Sequence, residues 1–251
     1  MKISIITVCY NSEAFITSAI DSVLSQSYPD IEYIVIDGAS KDGTISIIHS
    51  YGDRIAKVVS EPDKGIYDAM NKGLALANGE VIGILNSDDF YPHDSVIEEV
   101  VKAFEVNPNV DMVLGNVDFV KSENVSKPVR LYSSFNFEPW KLRFGFMPAH
   151  PGAFIKRTAY ERVGNYKLGY KIGADFEWFV RAVLIHRLSF VKLNKTLVRM
   201  REGGVSTSGL KSNWVATQDM YRALAVNSKN SYGLVVMRLP VKLFFKVFHK
   251  E

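Results

Sequence analysis

The stretch Val81-Ile82-Gly83-Ile84-Leu85-Asn86-Ser87-Asp88-Asp89 decides the fold. An apolar run follows Gly79 and ends on two adjacent acids. A continuous run of this kind reads as a strand buried on both faces, as in a parallel sheet. Carboxylates at the C-terminal end of such a strand lie where open α/β sheets bind ligands. They are hard oxygen donors, suited to Mg²⁺ or Mn²⁺ that also holds phosphate. Taken alone, the four polar residues read as a solvated turn in which Asp caps the next helix.

The surrounding sequence changes that reading. Ile3 to Val8 is a β-branched strand run, and Ser12 can cap a helix whose stripe is Phe15, Ile16, Ala19, Ile20, Val23 and Leu24. Ile31 to Ile36 is a second strand, followed by a helix near Thr44–Ser50 and a strand at Lys57–Ser60. Ile66, Ala69, Met70, Leu74 and Ala77 form another helical stripe, closed by Asn78-Gly79. After the quoted stretch come a helix near Asp94–Glu105 and a strand at Asp111–Val117. Strands alternating with helices specify βαβ units and an α/β fold with a mostly parallel sheet flanked by helices. The later residues are less regular. They predict a turn at Ser122–Lys127, a strand at Phe154–Lys156 and a helix at Thr158–Val163. A helix at Ala174–Ile185, strand pieces at Leu188–Lys192 and Leu197–Met200, and a helix at Asn213–Ala225 complete the pattern.

Four polar clusters fall at strand ends: Thr7–Asn11, Asp37–Thr44, Glu61–Gly65 and Asn86–Asp89. Asp-Gly and Pro-Asp are ordinary turn chemistry, but four such clusters on parallel strands share one edge and converge on one crevice. That crevice suits a nucleoside diphosphate, with carboxylates accepting from base and ribose and a divalent metal neutralising the phosphates. Neither G-x-G-x-x-G nor G-x-x-x-x-G-K-[ST] follows the first strand, which disfavours a dinucleotide fold and a P-loop.

Composition narrows the class. The chain has 251 residues, 47% of them apolar, enough for one well-packed core. The lone Cys9 excludes an intrachain disulfide framework and fits a buried core thiol. Of the net +3, the residues from Lys229 onward carry +4, which leaves −1 on the body, so the body is no nucleic-acid binder. Met1-Lys2-Ile3-Ser4 passes directly into a strand, so no signal peptide is expected, and no uncharged apolar run reaches the length of about 18 residues that a membrane span needs.

Together, Ile6-Thr7-Val8-Cys9-Tyr10-Asn11, Asp37-Gly38-Ala39-Ser40 with Asp42-Gly43-Thr44, and Asn86-Ser87-Asp88-Asp89 resemble the inverting family-2 glycosyltransferases of GT-A (Rossmann-like) fold. Glu61-Pro-Asp-Lys-Gly-Ile-Tyr-Asp-Ala-Met-Asn-Lys-Gly73 resembles a subgroup of small bacterial enzymes that build O-antigen, capsule and colanic-acid-type exopolysaccharide. The resemblance covers about residues 1–200. It implies that Thr7 and Asn11 line a base pocket, that Asp37 contacts the nucleoside, and that Asp63 and Asp68 lie beside the nucleotide with Asn71 nearby. It further implies that Asp88 binds ribose or supports the metal and that Asp89 holds a divalent metal, Mn²⁺ or Mg²⁺. The commoner pattern has Asp where this chain has Gly38, so one base contact of the family is missing.

The candidate general base is Asp175 in Gly173-Ala174-Asp175-Phe176-Glu177-Trp178, where Ala174 replaces the family's usual Glu. A lone Asp at a helix start is otherwise an N-cap. Glu177 is the fallback base, on the other side of the helix by its spacing. His150 resembles the loop residue flanking the acceptor and could touch acceptor or phosphate; a structural loop histidine is the alternative. Trp178 and Phe179 read as core or acceptor-stacking positions, with core favoured. Gly203-Gly204-Val205-Ser206 resembles a loop that closes over the donor, or a plain turn.

In Tyr232–Lys250, Arg238, Lys242, Lys246 and Lys250 recur every four residues among apolar ones. That spacing makes a basic amphipathic helix for an anionic membrane surface, or a terminal helix packed on the domain. The expectation is therefore a catalytic domain over 1–228, with a nucleotide-sugar half at 1–118 and an acceptor half at 119–228, and a helical extension at 229–251. It would transfer sugar from a nucleotide-sugar, with a UDP-sugar as default, to a glycan or polyprenyl-diphosphate-linked acceptor. Its place would be cytoplasmic, peripheral at the inner face of the cell membrane. The alternatives are an inactive GT-A-like binding protein and a sugar nucleotidyltransferase.

Overall fold

The computed structural model describes residues 1–203 and 210–227. Its strands are β1 (Ile3–Cys9), β2 (Ile31–Asp37), β3 (Lys57–Ser60), β4 (Val81–Asn86), β5 (Asp89–Phe90), β6 (Met112–Lys121), β7 (Asn124–Tyr132), β8 (Ala153–Lys156) and β9 (Phe190–Arg201). Its helices are α1 (Ile16–Leu24), α2 (Thr44–Ser50), α3 (Ile66–Leu76), α4 (Val96–Val106), α5 (Arg157–Val163), α6 (Ala174–Phe179) and α7 (Leu210–Asn227).

The first four strands are parallel, in the order β3-β2-β1-β4. Their register brings their C-terminal ends level. Cys9 pairs with Asp37, Asp37 with Ser60, and Val8 with Asn86. All four strands therefore end at one edge, where the four polar clusters were expected to meet. Side chains on β1 alternate between two apolar layers. Ile3, Ile5 and Cys9 face the layer of α1 and α4; Ile6 and Val8 face the layer of α3, α5 and α6. Helix α3 packs unusually close. A Cβ on Gly73 would lie 2.4 Å from Ile6 Cγ2, so any larger residue would push the helix off the sheet.

The rest of the sheet comes from later sequence. β8 lies antiparallel between β4 and β6, β9 runs parallel to β6, and β7 pairs with the far half of β6. β5 pairs Asp89 with Met200 of β9. Strands from both sides of residue 118 are thus interleaved in one sheet. The result is a mixed α/β fold with a mostly parallel central sheet flanked by helices.

Four local expectations are corrected. Ser12 caps α1 through its carbonyl, which accepts from Phe15 and Ile16, while its hydroxyl turns to Ser87 Oγ at 2.8 Å. The polar segment near Ser122–Lys127 turns only briefly and continues as β7, an edge strand exposed along most of its length. The two strand pieces at 188–200 are one strand, β9. The helix from Ala174 is α-helical only to Phe179, then widens to a π turn over Val180–Ile185. The basic segment 229–251, and Gly204, Val205 and Ser206, lie outside the described residues. Among the described residues no helix is long and apolar enough to cross a membrane.

At the opposite edge, Glu32 is almost fully buried. It accepts from Ser4 Oγ (2.6 Å), Lys57 Nζ (3.0 Å), and the Asn78 backbone (2.7 Å) and side chain (2.9 Å). Burial alone would push this carboxyl up, but the bonds from Ser4, Asn78 and Lys57 outweigh it and bring the pKa down to about 2. A depressed folded pKa stabilises the fold above the unfolded value of 4.5, and that stability is lost as pH falls towards about 2. Glu32→Gln is expected to cost about 3 kcal/mol at neutral pH. Urea midpoints should show it, with the gap between variant and parent closing in acid.

Candidate functional site

At the shared edge lies a cavity of about 510 Å³, walled by the ends of β1 and β4, the start of α3 and the turn before α6. Asp63, Asp88, His150 and Asp175 all line it. Asp88 is partly buried beyond the end of β4. Burial raises its carboxyl pKa above the ordinary value, against the opposing pull of a backbone hydrogen bond and of the Arg201 charge. Asp175 sits in the first turn of α6. Its Oδ1 accepts from the Phe176 backbone (2.7 Å) and from the Tyr67 hydroxyl (3.2 Å). Burial raises this carboxyl too, although His150, Phe176 and Tyr67 act in the opposite direction. His150 is buried, with Nε2 2.8 Å from the Tyr166 hydroxyl. Burial lowers its pKa, which leaves the imidazole neutral near pH 7 despite the nearby Asp175.

The remaining expected residues divide sharply. Asp63 reaches the cavity: Oδ1 accepts from Gly65 N–H at 2.8 Å, and Oδ2 stands where a side chain on Gly38 would project. A Cβ on Gly38 would lie 2.6 Å from it. Gly38 thus leaves room for the Asp63 carboxylate. Thr7 does not reach the cavity. It is fully buried on the α1 side, where its hydroxyl accepts from Tyr33 at 3.0 Å. Asn11 holds a positive φ of 48° and accepts from Lys41 N–H at 2.9 Å, while its own N–H donates to Ser40 Oγ at 2.8 Å. It pins the loop after β2 rather than lining the cavity. Asp37 is buried and saturated by Ser40, Ser60 and Cys9. Asp68 accepts from Lys64 N–H at 2.9 Å and shapes the loop before α3. Asn71 clamps the Tyr166 backbone, donating to its O at 2.8 Å and accepting from its N–H at 3.0 Å.

Residues 4–164 match the family model described as Glycosyl transferase family 2. The chain belongs to that family. An uncharacterized glycosyltransferase of Mycobacterium tuberculosis is 31% identical over 186 residues, 73% of this chain and 69% of its own length. A PGL/p-HBAD biosynthesis glycosyltransferase of Mycobacterium bovis is 27% identical over 238 residues, 93% of this chain and 88% of its own. Among solved structures, S. aureus TarS 1–349 in complex with UDP-GlcNAc has a TM-score of 0.71 at 18% identity, covering 95% of this chain and 72% of that one. The mannosyltransferase PcManGT from Pyrobaculum calidifontis, in complex with GDP-Man and Mn²⁺, has a TM-score of 0.64 at 22% identity, covering 91% and 64%. At those identities the two structures speak for the GT-A fold.

In this glycosyltransferase the acidic pair is divided in space. Asp88 lines the cavity, whereas Asp89 is fully buried and pairs with Met200 in the sheet. Asp89 Oδ2 accepts from Asn86 Nδ2 at 3.2 Å. Asp89 Oδ1 and Asn86 Oδ1 are both buried without a partner. Burial and the Asp88 charge hold the Asp89 carboxyl well above the usual range. Among the described residues no three His, Cys, Asp or Glu form a metal cage. Two adjacent carboxylates and an amide oxygen, two of their oxygens orphaned, nevertheless fit a hard cation that draws its other ligands from phosphate and water.

The sequence missed several partners. Arg201, at the end of β9, donates to the Asp88 carbonyl (2.6 Å) and Ser18 Oγ (3.0 Å), with its guanidinium over Phe90 at 4.8 Å. Only its place at a strand end could have marked it. Asp219 of α7 accepts from the backbone N–H groups of Lys171, Ile172 and Gly173 at 2.9–3.1 Å, fixing the turn that presents Asp175. Nothing local in the sequence announces that contact. Glu177 is buried in bonds to Arg181 and Lys167, which overcome the effect of burial and lower its pKa, so it is structural and no base for this cavity. Trp178 and Phe179 are fully buried core residues.

Proposed function

We propose that this glycosyltransferase is inverting and metal-dependent and takes its sugar from a nucleotide-sugar, a UDP-sugar by default. The observation that carries the reading is the opening of Asp88 and Asp175 onto one cavity of about 510 Å³, a size suited to such a ligand. Asp88, backed by Asn86 and Asp89, would hold Mg²⁺ or Mn²⁺, whose charge stabilises a leaving diphosphate. Asp63 offers the base a carboxylate in place of the one absent at Gly38. Asp175 takes the proton of the acceptor hydroxyl as that oxygen bonds to the anomeric carbon and the nucleoside diphosphate leaves from the opposite face. Asn11, Asp37, Asp68 and Asn71 serve by shaping the loops around the donor, and Thr7 by its buried bond to Tyr33 between β1 and β2.

Residues 1–118 supply the donor side and 119–228 the acceptor side of one catalytic unit. The acceptor we propose is a lipid-linked glycan, its product a bacterial surface polysaccharide of the O-antigen or capsule type. The motif Glu61–Gly73 and the basic segment after 228 support this. The test is a panel of UDP-glucose, UDP-galactose, UDP-GlcNAc and GDP-mannose with Mn²⁺ or Mg²⁺, read as donor binding and slow hydrolysis. Release of nucleoside diphosphate supports transfer; conversion of the nucleotide-sugar, on addition of pyrophosphate, to nucleoside triphosphate and sugar 1-phosphate would indicate a nucleotidyltransferase. No metal-dependent binding of any donor would overturn the reading. Removal of residues 232–251 is expected to shift the enzyme from the membrane to the soluble fraction, and unchanged partitioning would refute peripheral attachment.

A further inference from the structure

We infer that Tyr67 is a positioning residue for Asp175, and that Tyr67 and Asn71 make one face of α3 the strut that holds the base assembly against the donor side. The inference rests on the reading of Asp175 as the base.

Tyr67 and Asn71 are four residues apart, one above the other on one face of α3. The Tyr67 hydroxyl is bonded to the Ile172 carbonyl and lies 3.2 Å from Asp175 Oδ1. Asn71 grips the Tyr166 backbone through both ends of its amide. The Tyr166 hydroxyl in turn meets His150 Nε2 at 2.8 Å and the Tyr160 hydroxyl at 3.0 Å. The two side chains therefore hold both acceptor-side groups, Asp175 directly and His150 through Tyr166. Helix α3 is a stiff mount, because Gly73 seats it against Ile6 of β1. Its N-terminal loop carries Asp63 into the same cavity. Donor-side and acceptor-side groups thus hang from one short helix.

The hydroxyl of Tyr67 has one proton and two acceptors. While Asp175 is ionised, the proton serves Oδ1 and turns Oδ2 towards the acceptor. Once Asp175 has taken up a proton, the Tyr67 proton can rest wholly on the Ile172 carbonyl, so no donor is stranded. The groups that face Asp175 are the Tyr67 hydroxyl from α3, the His150 imidazole, and the Tyr166 hydroxyl at longer range. Of these, His150 and the Tyr67 bond both favour the charged form.

The test is Tyr67→Phe, which keeps the ring and removes the hydroxyl. In the donor-free protein the Asp175 carboxyl, followed by ¹³C NMR, is expected to titrate at higher pH than in the parent. Donor hydrolysis should fall about tenfold in kcat, the worth of one hydrogen bond to a charged group, with donor KM unchanged and the acid limb moved the same way. A parental titration together with a parental kcat would overturn the inference. If Tyr67→Phe proves unstable, a double-mutant cycle of Tyr67→Phe with Asp175→Ala, which removes the accepting oxygen, on thermal stability decides it. Coupling between the two supports the contact, and strict additivity overturns it. The base assignment is read separately: if Asp175→Asn keeps parental turnover, that reading fails whatever the titration shows.

Discussion

Asp175→Asn is expected to lower kcat about a thousandfold while leaving donor affinity within about twofold. Asn preserves the shape and can still accept at Oδ1, so the Phe176 and Tyr67 contacts survive. What is lost is the ability to take a proton. The measurement is diphosphate release with donor and acceptor present, beside donor binding alone. Burial holds the parental carboxyl above its usual value, and a base must be ionised to act. The parental kcat should therefore fall on the acid side at a pH above the usual carboxylate range. A loss of donor binding in the variant would mean that Asp175 serves the donor instead.

The second large effect is expected at Asp88. Asp88→Asn should weaken Mn²⁺-dependent donor binding about a hundredfold, because the carboxylate that opens onto the cavity is removed. Asp89→Asn should cost less, about tenfold, because Asp89 stands behind the cavity and acts on its neighbours. Titration calorimetry with donor, with and without Mn²⁺, separates the two. The reverse order would restore Asp89 as the principal metal ligand.

The contrast between these carboxylates marks where the sequence stops being legible. A pair of acids at a strand end announces a site, but it does not say which acid faces it. Here Asp88 lines the cavity, while Asp89 is buried in a two-residue strand paired with Met200, more than a hundred positions away in the chain. The parallel strands were legible because their apolar runs are continuous and local. Their convergence followed from parallel pairing alone. β7 was not legible: it is an edge strand exposed along most of its length, so no apolar alternation marks it. β9 read as two pieces because its middle, around Asn194-Lys195, is exposed and polar and falls where the register with β6 shifts, pairing resuming at Thr196. The Asp219 brace and the Asn71 clamp are side chain-to-backbone contacts across 46 and 95 positions respectively. Backbone acceptors and donors leave no residue-type signature, so such contacts cannot be read from a single sequence.

The placement of β8 has a consequence for how such a chain can diversify. β8, from sequence after residue 150, is laid between β4 and β6. A recombinant cut at 118 would strip β4 of its neighbour and expose an unpaired strand edge, which invites aggregation. The segments before and after residue 118 are therefore not interchangeable cassettes in this architecture. Change is more accessible by drift in the connecting loops, around 133–152 and 164–173, than by shuffling whole halves between relatives.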